Sequence, residues 1–448
     1  MRIVSALPCC RPQSANNARV LSDNERAMNV QEFERLCTLG LGRAILHLRD
    51  HDARPYREII LDACLHNRAY DAQVEGSRAE YMLDVMQESG DLAFYADAVI
   101  AALGEDAGDW DDSHRFRIAR FLAQKGSQPA RVAMHSAFQK KRISATDIAS
   151  EFIELDGIPG LLFVVGEIGE QLALDSDQWE DDFLLSLAGD ICGPEKVGAA
   201  LRNAADTDKR VGAYLSAVEE NRALRARDKS PDPSGLTYRE MCPLIGADGG
   251  ILWRWGQTAS DSDLKLAAAA FVEETDHKRM LTYLRLFAKR KYPLDLSHLF
   301  GLVALPDGPV PRHALRVLAN LEDERIRRLA FNLVETSSPL RGYAVDLLVK
   351  NFHDSDHATV EAWCDAEQDL GTVNAFDRSL RYFFAEHPNS AIEVRLLRNL
   401  YEREPCAHCR CFIVERLLQL NGLTDTQRRE CEHDSYLETR DLVCQQAG

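Results

Sequence analysis

Apolar side chains recur three and four residues apart through almost all of this chain, and that spacing restricts what it can become. In PRHALRVLANL, Ala314, Leu315, Leu318 and Leu321 fall on one helical stripe, and in ERIRRLAFNLV so do Ile326, Leu329, Ala330 and Leu333. Neither segment alternates as a half-buried strand would. The same pattern fills PYREIILDACLHN, SRAEYMLDVMQE, HRFRIARFLAQKG, DLKLAAAAFVEET, KRMLTYLRLFA, LRGYAVDLLVKNF and VEAWCDAEQDL, each bounded by Gly, Pro, Asp or Ser. Strand candidates are few and short, ILWRW from Ile251 to Trp255 being one. The expected fold class is all α.

The helices come in pairs, one pair roughly every 35–45 residues, the period of helical solenoids. The clearest unit runs from Pro311 to Glu335: a proline at a helix start, LRVLANL, a turn at LEDE, then a second helix carrying arginines. This arrangement resembles a HEAT repeat, in which an Asp after the first helix caps the second and an Arg a few residues on faces the next repeat. Asp323 with Arg328 matches that pattern, and Asp434 with Arg440 in HDSYLETRDLV matches it again. The resemblance is specific over the last third of the chain and periodic elsewhere. It implies an α-solenoid of antiparallel helix pairs, a HEAT-like superhelix of armadillo type.

A chain of 448 residues exceeds one ordinary compact core, which suits an elongated array. Its net charge of −18 argues against coating nucleic acid or an anionic membrane through the overall field, though a local basic patch stays open. Twelve irregularly spaced cysteines read as thiols of a reducing compartment, which points to the cytoplasm. MRIVSALPCCRPQ begins like a signal peptide, but Pro8, two cysteines and Arg11 break its short apolar stretch. Residues 1–28 read as a disordered leader, with Met28 as an alternative start to Met1. The longest apolar run, LLFVVGEIGEQLAL, is interrupted by Glu167 and Glu170 before reaching the roughly 18 residues of a membrane span.

Two breaks divide the array. RARDKSPDPSGLTY carries Pro231, Pro233 and Gly235, and GADGGILWRWGQTASDSD gathers Gly249, Gly250, Trp253 and Trp255. The division is therefore a helical half at 29–228, a linker and tryptophan joint at 229–259, and a HEAT-like half at 260–448. The two tryptophans read as a wedge at the joint, with a ligand-binding loop as the alternative.

Chemistry-bearing clusters are few. EPCAHCRC offers Cys406 and Cys409 as the CxxC half of a zinc site, with Cys431 and His433 in RRECEHDS as the only nearby second half. That CxH pair points to opposite helix faces, while Cys409, Ile413, Leu417 and Leu420 share one stripe, so packing is the favoured reading. His47 and His51 with Asp50 and Asp52, and His353, Asp354, Asp356 and His357, have metal-like spacing but lack the Glu of an HExxH site. Asp354, Ser355 and Asp356 read as capping residues. No cofactor is implied.

Two surfaces remain. The connector from Asn67 to Tyr81 concentrates Arg68, Tyr70, Asp71, Gln73, Glu75 and Arg78 where turn formers would suffice, which predicts either a polar brace between repeats or a partner contact. Between residues 278 and 328 lie Lys278, Arg279, Arg285, Lys289, Arg290, Lys291, Arg312 and Arg316, with Arg325, Arg327 and Arg328, and LFAKRKYPL sets an aromatic among the charges. On one concave face these would hold phosphates or an acidic peptide. The function expected first is a non-catalytic scaffold presenting a concave repeat surface to a protein partner. The alternatives are nucleic-acid or phosphate binding through the basic stretch, similar in architecture to HEAT-like DNA glycosylases, and a metalloprotein or enzyme using the Cys/His cluster. No GxxxxGK[ST] loop or GxSxG elbow is present, so an enzyme is not expected.

Overall fold

The computed structural model describes residues 28–141, 146–174, 180–227, 232–245 and 250–445. The expected leader at 1–27, Pro231 and Gly249 lie outside the described residues. Among those described are 27 α-helices, three short 3-10 helices and no strand. The strand candidate ILWRW is instead the helix Ile251–Gly256. Its first residues put Ile251, Leu252 and Trp255 on one buried face, and Trp255 donates its indole N–H to the Leu236 carbonyl at 2.7 Å. Trp255 is thus a core residue, while Trp253 is exposed.

Most helices pack on near neighbours along the chain, and Ile158–Leu174 also packs along Lys209–Arg227, three helices on. Asp109–Gln124 touches Ala79–Glu88, Gln128–Lys141 and Thr146–Asp156, and Pro309–Leu318 touches His277–Phe287 and Ser297–Val303. The apolar stripes meet in these contacts, and burying them is the main stabilising term. Polar side chains fix the spacing between successive units. Asp323 is the N-cap of Glu324–Glu335 and accepts from Arg325 N at 2.8 Å, while its own N–H donates to Asn351 of the next unit at 2.9 Å. The arginine that reaches the helix Asp356–Ala366 is Arg327, which pairs with fully buried Asp356 at 2.7 Å. The sequence had suggested Arg328. Arg327 wins because the helix turn after Asp323 aims it, and not its neighbour, at the following helix start. Asp323→Ala is expected to cost about 1–2 kcal/mol in urea unfolding, with Glu324→Ala near neutral.

The chain also closes on itself. Residues 30–88 are tied to the last helices by ion pairs and hydrogen bonds, so the first and last described helices meet at a seam. Gly40 and Gly42 mark the closest approach. A Cβ on Gly40, which sits at φ +70°, would lie 2.0 Å from Ser435 Oγ, and one on Gly42 would lie 2.0 Å from the Glu430 carbonyl oxygen. Ser435 N donates to Gly40 O at 2.9 Å. Arg43 pairs with Glu402 and Glu430, both at 2.7 Å, and Arg440 pairs with Asp84 at 2.9 Å. Arg440 also donates to the Asp434 carbonyl. The Asp434 carboxylate itself is taken by Arg410 at 2.8 Å, inside the protein.

Candidate functional site

Four helices that alternate along the chain between residues 277 and 386 line one groove. Arg285 and Lys289 come from the end of His277–Phe287, Arg312, His313 and Arg316 from Pro309–Leu318, Asp346 and Lys350 from the end of Ala344–Val349, and Arg378 and Tyr382 from Leu370–Glu386. Arg285 and Lys289, Arg312 and Arg316, His313 and Arg316, Asp346 and Lys350, and Arg378 and Tyr382 are three or four apart, so each helix shows the groove one face. Cavities of about 1000 Å³ and 590 Å³ share Arg316, Asp346 and Tyr382 and so form one continuous surface. Exposed Trp253 lines the larger cavity, and exposed Tyr382 stands where the two join.

The charges divide into two sets. Arg279 is held by Glu274 at 2.7 Å, Arg312 by Asp307 at 2.7 Å, and Lys350 by Glu386 at 3.4 Å. Arg290 donates to the carbonyls of Gly256 and Ala259, so it braces a helix junction. Lys289, Arg316 and Arg378 form no ion pair among the described residues, and all three are exposed in the groove. Asp346 sits between Arg316 and Arg378. Burial raises its pKa, while a hydrogen bond with Ser379 and the two guanidiniums oppose that rise. His313 is lowered by burial and by Arg316 and Arg285 nearby, and it also bonds the Pro309 carbonyl at 2.8 Å.

Of the basic residues read from sequence, the structure brings together Arg285, Lys289, Arg312 and Arg316. Lys278, Arg279, Arg290 and Lys291 line neither cavity. The aromatic in LFAKRKYPL, Tyr292, is buried against Phe271 and Phe287 and serves the core. Lys350, Arg378 and Tyr382 complete the groove and were missed, while Trp253, which also lines it, stands where the sequence suggests a wedge or, as the alternative, a ligand-binding loop. Arg378 and Tyr382 share a spacing of four on a helix whose other face is apolar, which was the available signal.

The connector splits in the same way. Tyr70, Asp71 and Gln73 line a shallow surface with Trp110. Glu75 and Arg78 are buried partners at 2.7 Å, and Glu75 also accepts from Ala407 N at 3.1 Å, across the seam. Burial raises the Glu75 carboxyl, but Arg78 and the backbone donors outweigh it and hold it below the usual range. Arg78 further donates to the Thr38 carbonyl. Asn67 is tied to Asp111 and Gly76, and Tyr81 to the Leu41 carbonyl at 3.0 Å. Tyr70 Oη comes within 3.7 Å of where a Gly371 Cβ would sit, at the rim of the groove. The basic groove and the connector, read separately in sequence, thus abut.

The cysteine and histidine clusters separate. Cys431 donates to Tyr401 Oη at 3.7 Å, and His433 contacts Arg49 at 3.0 Å, leaving Cys406 and Cys409 as a pair by themselves. Cys409, Ile413 and Leu417 are buried on one stripe, with Leu420 packed beside them. His47 bonds Tyr56 and stacks on His51, and His357 bonds the His387 carbonyl. Asp356 accepts from His353 N at the start of its helix. No group of three His, Cys, Asp or Glu among the described residues could hold a metal.

No protein-family model, curated protein or solved structure matches this chain. No helix among the described residues is long and apolar enough to cross a membrane.

Proposed function

We propose that this protein is a non-catalytic scaffold, a HEAT-type superhelix that holds an acidic segment of a protein partner in the groove of its second array. The observation that carries this reading is the presence of three exposed cations, Lys289, Arg316 and Arg378, which form no ion pair among the described residues and lie on one surface between Trp253 and Tyr382. Solvated cations repel one another when confined, so a groove that gathers them gains by accepting carboxylates. Aromatics flanking such charges supply the apolar contact that anchors a peptide. Nucleic acid is the weaker reading, because Asp346 and Glu386 interrupt the cationic track that a phosphate backbone would follow and the chain as a whole carries −18. The ten described cysteines are all free thiols, which supports a reducing compartment such as the cytoplasm.

The test uses a fluorescent peptide of alternating Glu and Tyr, with a single-stranded oligonucleotide as competitor. Lys289→Gln, Arg316→Gln and Arg378→Gln together are expected to weaken peptide binding at least tenfold and to flatten its salt dependence, while the melting temperature stays within a few degrees. Equal binding by the triple variant would end the groove hypothesis. Tighter binding of the oligonucleotide would transfer the site to nucleic acid.

A further inference from the structure

Cys406 and Cys409 sit where a helix begins. Cys406 is the N-cap of Ala407–Gln419, and Cys409 lies one turn on. The Cys406 thiol lies beside that of Cys409, which Asn374 and Arg381 also flank. Beneath them lies Glu404, fully buried. One of its oxygens accepts from Cys406 N at 3.0 Å and from Asn374 at 2.7 Å. Its other oxygen, Oε2, has no partner, although the carboxyl lies within electrostatic reach of Cys409. A buried carboxyl oxygen without a partner is costly, and here it stands beside two thiols at the positive end of a helix. Packing alone explains two small side chains. It does not explain this carboxyl.

We propose that Cys406 and Cys409 form a dithiol–disulfide couple that exchanges with low-molecular-weight disulfides of the glutathione class. The helix terminus, the neighbouring Cys406 thiol, Asn374 and Arg381 favour a Cys409 thiolate, against burial and the nearby Asp377 carboxyl. That sulfur attacks the small disulfide, forming a mixed disulfide and releasing one thiolate. Cys406 then attacks the Cys409 sulfur, closing the protein disulfide and releasing the second small thiolate. Glu404 gives its proton to a leaving thiolate and regains one from Cys406. The balance is two protein thiols and one small disulfide converted to one protein disulfide and two small thiols, a two-electron exchange.

The cysteine stripe and the dithiol are compatible, since Cys409 packs one side of its sulfur and exchanges through the other. The Cys409 thiol is lowered to about 7 chiefly by the neighbouring Cys406 thiol, against burial that raises it. Only 4% of Cys406 and 7% of Cys409 is exposed, and Tyr70 of the connector lies near Glu404 and Cys406. Exchange is therefore slower than at exposed Cys444, and selective.

Trypsin cleavage at Arg403 and Arg410 releases one peptide, residues 404–410, that contains both cysteines. The full chain is equilibrated in glutathione buffers of falling reduced-to-oxidised ratio, quenched with acid, alkylated and digested. The expected result is that this peptide loses two hydrogens in most molecules at a ratio at least tenfold more reducing than the urea-unfolded chain requires. Cys406→Ser should trap glutathione on Cys409, and Cys409→Ser should leave Cys406 alkylated. The proposal is overturned if the native peptide keeps both thiols while Cys444 becomes fully glutathionylated, or if native and unfolded chains close at the same ratio.

Discussion

Arg410→Ala is expected to lower the unfolding free energy by about 3–5 kcal/mol, because it would strip the partner from a carboxylate that has no access to water. Both Arg410 and Asp434 are 0% exposed. The guanidinium meets Asp434 at 2.8 Å and 3.2 Å, and two further donors go to the carbonyls of Glu404 at 3.2 Å and Gly40 at 3.3 Å. Four of the five guanidinium N–H groups that burial takes from water are thus returned to an oxygen, and one of those oxygens belongs to the opposite end of the chain. The pair itself is not necessarily a net stabiliser, since desolvating two charges offsets most of their attraction. This gives the prediction a second arm. Arg410→Met combined with Asp434→Leu should recover most of the loss, whereas either change alone should not. Urea unfolding of the three variants measures it, and hydrogen exchange at residues 40–46 reports whether the seam opens first. A cost below about 1 kcal/mol for Arg410→Ala would mean that the seam does not depend on this pair.

Helix type and helix limits were legible because they depend on near neighbours. The Ala314 to Leu321 stripe is a local property, and Asp323 announces a helix start by chemistry that acts over three residues. ILWRW failed on the same grounds, since five residues without polar alternation do not distinguish a buried strand from one buried helical turn. The seam was illegible. Nothing in the sequence near Gly40 tells that its Cα hydrogen faces Ser435, almost four hundred residues later, and a glycine after a helix reads equally well as an ordinary left-handed cap. The connector was recognised as overbuilt for a turn, but whether Glu75 faced a repeat neighbour or the far end of the chain was beyond local reasoning. The groove was half legible. Charge density located Arg285, Lys289 and Arg316, and it also swept in Arg279 and Arg290, whose partners, Glu274 and the carbonyls of Gly256 and Ala259, became visible only once the helices were placed.

Glu404→Gln is expected to stabilise the protein at pH 8 by on the order of 2–4 kcal/mol while leaving it unchanged near pH 4. Burial, and then the nearby Asp377, raise the Glu404 carboxyl to about 8, and Asp377 is itself raised to about 6, by burial that outweighs Arg381. In the unfolded chain both titrate near 4. Below pH 4 the folded and unfolded states are equally protonated, and these groups contribute no pH dependence. Between about 4 and 8 the unfolded chain has released the Glu404 proton and the folded chain keeps it, so stability falls as pH rises, by up to about 1.4 kcal/mol per pH unit. Asp377 adds its own slope only between about 4 and 6, and because Glu180 and the Cys409 thiol also titrate near 7, it is the difference between wild type and Glu404→Gln from pH 6 to 8 that reports Glu404. Glutamine retains the oxygen that accepts from Asn374 and Cys406 N, and it puts an amide where the unpartnered oxygen now stands, beside Cys409. The comparison is run on reduced protein, so that the state of the two cysteines is constant, by urea unfolding at unit pH steps. The wild-type curve should fall from pH 6 to 8 more steeply than that of the variant. Parallel curves over that interval would show that Glu404 is ionised in the folded protein, and would also remove it as the proton carrier for the dithiol.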